Sequence, residues 1–153
     1  MKRRTFLKGT VAGGMIGVAA SAGLLTPRMV LAAWPKSAFD AKSVDDAMDA
    51  LLGSTSAANS SDIKIKAPDI AENGAVVPIT VSTSMPAESI SVLIEKNPSP
   101  LACSFALGDH TIGFVSTRVK MGKTSDLIAV VKSGGKLFSA KKTVKVTIGG
   151  CGG

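Results

Sequence analysis

From residue 63 onward the apolar positions recur with a period of two, the spacing of half-buried strands. Ile63, Ile65 and Ala67 alternate with Lys64 and Lys66, and Val77, Ile79 and Val81 alternate with Pro78, Thr80 and Ser82. Ile90, Val92 and Ile94 form a third set, broken only by Leu93. Leu101, Cys103, Phe105 and Leu107 share the parity of a fourth, and Val115, Val119 and Met121 that of a fifth. Leu127 to Val131 is apolar on both faces, which fits a central strand or one covered by a partner. Lys136 to Ile148 closes the series with Val144, Val146 and Ile148 in alternation. Turn-forming residues separate these runs, among them Glu72-Asn73-Gly74, Met85-Pro86, Asn97-Pro98-Ser99-Pro100, Gly108-Asp109, Gly122-Lys123 and Ser133-Gly134-Gly135. The spacing predicts a mainly β domain, an immunoglobulin-like antiparallel sandwich of about seven strands. It lacks the Cys…Trp…Cys core of antibody-type domains.

Before the strands, the period is helical. Val44, Ala47, Met48, Leu51 and Leu52 fall on one helix face. Ser43 is a natural N-cap, Asp45 and Asp46 suit the first turn, and Gly53 is a natural stop. A helix this short needs a surface to dock on. Ser54 to Ser61 reads as a linker.

The first 33 residues follow another rule. Lys2-Arg3-Arg4-Thr5-Phe6-Leu7-Lys8 precedes an apolar stretch, Gly9 to Leu25, rich in Gly and Ala; Arg28 and then Val30-Leu31-Ala32-Ala33 follow. This is the layout of an export signal with cleavage after Ala32 or Ala33, and the pair Arg3-Arg4 before Phe6-Leu7 matches the twin-arginine pattern. Seventeen residues holding five glycines make a poor membrane anchor, so a stable anchor is not expected. The expected domains are a signal at 1–33, a helix plus sandwich at 34–148 and a C-terminal arm at 149–153. The expected location is the bacterial periplasm. The charge of +7 divides at the same boundary. Five of the 18 basic residues lie in the first 28 positions, which hold no acid, leaving 13 basic against 11 acidic beyond them. No basic run there is interleaved with aromatics, so nucleic acid is not an expected partner.

The two cysteines differ in setting. Cys103 lies on the apolar parity of its strand and reads as a buried thiol, with a disulfide to Cys151 as the alternative. Cys151 sits in Gly149-Gly150-Cys151-Gly152-Gly153, the last five residues. Glycines on both sides offer it no packing and no regular structure, which predicts an exposed thiol on a flexible arm. An exposed thiolate attacks electrophiles, exchanges disulfides or carries a group. No base or metal ligand adjoins it and no Cys-x-x-Cys exists, so a self-sufficient thiol oxidoreductase is the weakest reading. A carrier arm and a tail that forms intermolecular disulfides, including a Cys151-linked dimer, both stay open on these residues. His110, the lone histidine, follows Gly108-Asp109 in a turn and has no Cys/His spacing that would make a zinc site. Arg118, Lys120 and Lys123 form a basic cluster that suits a solvated face, an anionic cargo or an acidic partner.

Three segments resemble the SoxY family, sulfur-carrier subunits of the periplasmic thiosulfate-oxidising system. They are the ending Val144-Lys145-Val146-Thr147-Ile148-Gly149-Gly150-Cys151-Gly152-Gly153, the turn Glu95-Lys96-Asn97-Pro98-Ser99-Pro100-Leu101, and Phe114-Val115-Ser116-Thr117-Arg118-Val119-Lys120-Met121. The twin-arginine signal and the helix ending Ala50-Leu51-Leu52-Gly53 agree, and Cys103 departs from the pattern. The resemblance implies a non-catalytic carrier with no cofactor, no metal and no catalytic residue of its own. It implies Cys151 as the attachment site for sulfur cargo, with Gly149, Gly150, Gly152 and Gly153 as a swinging arm. It also implies a heterodimer with a SoxZ-like subunit and transient docking with SoxAX cytochrome, SoxB and SoxCD type enzymes. The alternative is an exported binding or structural sandwich that uses its terminal thiol for intermolecular disulfides.

Overall fold

The computed structural model describes residues 35–147. The signal residues with Arg3 and Arg4, and the tail with Ile148, Gly149, Gly150, Cys151, Gly152 and Gly153, lie outside the described residues.

Among the described residues two helices come first, α1 (Lys36–Asp40) and α2 (Val44–Leu52). The second has the expected bounds, and its ends show why. Ser43 is extended at φ −125 and its Oγ accepts from the Asp46 N–H at 3.0 Å, satisfying one of the orphan donors of the first turn. Gly53 takes the left-handed conformation at φ 71 and donates its N–H to the Asp49 carbonyl at 2.8 Å. The short helix α1 was not legible in the sequence. Five residues carry too little periodicity, and it holds through burial of Ala38 against the second helix layer rather than through propensity.

Nine strands follow among the described residues: β1 (Ala58–Asn59), β2 (Ile63–Lys66), β3 (Ile70–Ala71), β4 (Val77–Thr83), β5 (Ser89–Ile94), β6 (Leu101–Ala106), β7 (Phe114–Val119), β8 (Ser125–Ser133) and β9 (Lys136–Val146). Seven of these are the predicted runs. The larger sheet has the order β1-β9-β8-β5-β6, with β3 also paired to β9, and the smaller has β2-β4-β7. The two additional strands are two residues long and both run parallel to β9, so the sandwich is not purely antiparallel. Ala58–Asn59 lies inside the expected linker. It pairs with Phe138 and Ser139, and no alternation announces so short a contact.

The two faces of the larger sheet explain the two irregular runs. Leu127, Ala129 and Val131 enter the sandwich core with Ile79, Val81, Ile90, Val92 and Ile94. Ile128 and Val130 point outward with Leu93 and Leu101 and are covered by Ala38, Ala47 and Met48. β8 is therefore a central strand, between β9 and β5, buried on both faces within this chain. Leu93 breaks the alternation of β5 because it belongs to the helix-covered face.

The expectation for β6 needs one correction. Val92 is opposite Cys103, but Leu93 is opposite Leu101, so a bulge leaves Ala102 as an extra residue. Two residues facing one reverse the parity beyond that point. Cys103, Phe105 and Leu107 pack against the sandwich core as expected, whereas Leu101 belongs to the core beneath the helices.

Candidate functional site

Because β9 runs out at Val146, the end of the sandwich around that strand positions everything beyond it. Val146 donates its N–H to Thr124 Oγ1 at 2.9 Å. Thr147 donates its N–H to the Ala71 carbonyl at 3.0 Å, and Lys145 donates to the Asp69 carbonyl at 2.9 Å. These last two bonds make β3 a parallel clamp on the end of β9, with Ile70 opposite Lys145 and Ala71 opposite Val146. Thr147, the last described residue, is thus held on the body of the domain, four positions before Cys151.

Two turns brace this end. Asn97, from the Asn-Pro-Ser-Pro run, donates Nδ2 to the Lys120 carbonyl at 2.7 Å and accepts from the Gly122 N–H at 3.1 Å. The β5–β6 turn is thereby tied to the segment that leads into Thr124. Met121 donates its N–H to the Gly74 carbonyl at 2.7 Å. Gly74 leaves no room for a side chain: a Cβ there would stand 2.3 Å from the Met121 carbonyl oxygen and 2.7 Å from Val146 Cγ1. Two of the segments that suggested the family, Glu95 to Leu101 and Phe114 to Met121, thus meet the third at the root of the tail. The turns were legible in the sequence, but Ala71, Gly74, Asn97 and Thr124 were not legible as supports of this end. Asn73-Gly74 and Asn97-Pro98 were the available signals, and they say nothing of what the turns will touch.

Cys103 is a free, half-buried thiol on β6. Burial pushes its pKa up to about 11, so it holds its proton at neutral pH. It packs against the sandwich core as expected, but half-buried rather than buried; its alternative partner, Cys151, lies outside the described residues. His110 is exposed in the β6–β7 connection at φ 73, the one non-glycine residue with positive φ among the described residues. Arg118, Lys120 and Lys123 are exposed and stand in none of the three ion pairs among the described residues, which are Lys36–Asp40, Lys132–Glu88 and Lys142–Asp69. No group of three His, Cys, Asp or Glu gathers among the described residues to hold a metal. No described helix is long and apolar enough to cross a membrane.

The family model described as "Sulfur oxidation protein SoxY" matches residues 48–151. This chain belongs to the SoxY family. The match begins in α2, runs through both sheets and ends on Cys151 itself. Among solved structures, the sulfur carrier protein SoxY from Chlorobium limicola f thiosulfatophilum is 50% identical, with a TM-score of 0.62. That likeness covers 68% of this chain and 96% of the other. No curated protein matched. SoxY proteins are carriers rather than catalysts, and the mainly β, immunoglobulin-like fold is that of the family.

Proposed function

We propose that this chain carries sulfur intermediates covalently on Cys151 during thiosulfate oxidation, in the periplasm, after twin-arginine export and removal of residues 1–33. The observation that carries the reading is the extent of the family match, which spans the folded domain and reaches the cysteine of the Gly-Gly-Cys-Gly-Gly ending. The clamped end of β9 supports it. A swinging arm works only if its base stays fixed while its tip moves, and Thr124, Ala71 and Asp69 hold that base.

The chemistry this assigns is simple to balance. The Cys151 thiolate and the sulfane sulfur of thiosulfate form an S–S bond with loss of two electrons, which a partner cytochrome of the SoxAX type accepts. Water then cleaves the sulfur–sulfonate bond on a SoxB-type enzyme, releasing sulfate and two protons and leaving a persulfide on the arm. A SoxCD-type enzyme oxidises that sulfur where one is present. The carrier supplies attachment and reach, and a SoxZ-like subunit completes it as a heterodimer. Gly149, Gly150, Gly152 and Gly153 let the arm take backbone angles that side chains would resist.

Intact mass of the protein from thiosulfate-grown cells tests this. Sulfur adducts on the C-terminal peptide are expected in the native chain and absent in Cys151→Ser, with the fold unchanged. A Cys151→Ser protein that still accumulates adducts would overturn the assignment, and a native chain found only as free thiol or Cys151–Cys151 dimer would favour the disulfide alternative.

A further inference from the structure

A short tether dictates where its users must sit. Cys151 is four residues beyond Thr147, so its Cα lies at most about 14 Å from that anchor even when fully extended. An enzyme whose reactive centre is recessed by several ångströms must therefore bring the rim of its cleft onto the end of the sandwich from which the arm departs.

That end carries two exposed aliphatic side chains. Ile70 and Val76 are 57% and 50% exposed there. Ile70 sits on the parallel clamp opposite Lys145. Val76 sits in the turn that begins at Asn73 and includes Gly74, which lies against Val146. Ile112 and Phe114, the other exposed large hydrophobics among the described residues, lie at the far end of β7. Around the same strand end stand Lys96, Lys120, Lys123 and Lys145, all exposed and all outside the three ion pairs. The exposed carboxylates there are Glu72, Glu95 and Asp69; Asp69 is paired with Lys142, and the other two do not balance the four lysines. Four lysines outside the ion pairs and two solvent-facing aliphatics at one end of the domain suit a transient contact with an acidic, partly apolar partner surface.

Resting on the assignment of Cys151 as the carrier thiol, we infer that the arm root is itself a recognition surface, and that its occupant is an acidic, partly apolar rim around the cleft of each enzyme that receives the arm. The lysines raise the encounter rate and set orientation, Ile70 and Val76 supply contact area, and the surface is shared because every user is held to it by the same short tether.

The experiment is thiosulfate-dependent loading of the full exported chain with its partner subunit, at varied carrier concentration and ionic strength. Lys120→Glu/Lys123→Glu should raise the KM for the carrier about tenfold at low salt and leave kcat within about twofold, with the difference collapsing near 0.5 M salt. Lys136→Glu, at the opposite end of β9, should match the native chain. Ile70→Ser/Val76→Ser should raise the KM in a way that salt does not remove. Labelling of Cys151 with an uncharged disulfide should be unchanged in all of these. Equal KM values for the native chain and the Lys120/Lys123 variant would overturn the inference. So would a variant whose only change is slower reaction with an anionic disulfide reagent, because the lysines would then act on small anions. Loading of the native chain at a residue other than Cys151 would instead remove the carrier assignment on which the inference rests.

Discussion

Burial holds the Cys103 thiol protonated up to about pH 11, against an unfolded value near 9.0. At pH 8 only about one molecule in a thousand carries a Cys103 thiolate, and the greater nucleophilicity of a more basic thiolate recovers only part of that loss. A maleimide should therefore modify Cys103 in the folded protein more than tenfold slower than after unfolding in urea, as read by peptide mapping. The same shift links to stability. Between about pH 9 and pH 11 the unfolded chain has released this proton and the folded chain has kept it, so the folded state binds more protons and stability falls as pH rises. Cys103→Ala should flatten the decline of the urea midpoint across that window while lowering the midpoint at pH 7, where a small cavity costs on the order of 1 kcal/mol. A decline of equal slope in both proteins would assign it to other groups. On the proposed function, which uses Cys151 alone, this leaves the second thiol chemically quiet.

Among the elements, β9 and its supports decide most. Gly74→Ala forces a methyl group to within van der Waals overlap of the Met121 carbonyl and Val146, so the turn or the strand end must shift. The expected cost is about 1–3 kcal/mol, read as a lowered denaturation midpoint. Gly122→Ala is the matched control. The nearest atom to its Cβ would be Asn97 Oδ1 at 3.8 Å, an ordinary contact, so its midpoint should move little. Equal effects would show that crowding at Val146 is not what Gly74 avoids. The same elements mark how far the sequence could be read. The caps of α2 and the alternation of β2, β4, β7 and the end of β9 were legible because each rests on local spacing, which a one-dimensional pattern retains. The parity of Leu101 was not, because it depends on a bulge defined only against β5. β1 and β3 escaped for a related reason: two residues carry no period, and both exist only because β9 offers them an edge. At the candidate site, Cys151 and its glycines stood out by composition, whereas Ala71, Gly74, Asn97 and Thr124 became meaningful only once three distant turns were brought together.

For the whole molecule, the two cores are complementary in origin. One is closed by the two sheets and the other by the helices on the outer face of the larger sheet, so α2 is part of the fold rather than a leader to it. A domain that closes both cores within one chain suits export in the folded state, as the twin-arginine reading requires. Replacing Arg3 and Arg4 together by lysine should leave the protein in the cytoplasm with residues 1–33 attached, as seen by fractionation and intact mass; a variant that reaches the periplasm in normal amount would exclude that route. The attachment of β9 has a mechanical side as well. On the carrier function proposed above, an enzyme that drew the tip of the tail inward would pull on Thr147 and along the strand. β8 lies against β9 from Val144 back to Lys136, and the parallel bridges of β3 and β1 grip its other edge near each end. A pull along the strand loads these bonds together in shear instead of peeling them one by one. On that function the body would stay folded under the pull, and the reach offered to an enzyme would be set by the residues beyond Thr147 alone.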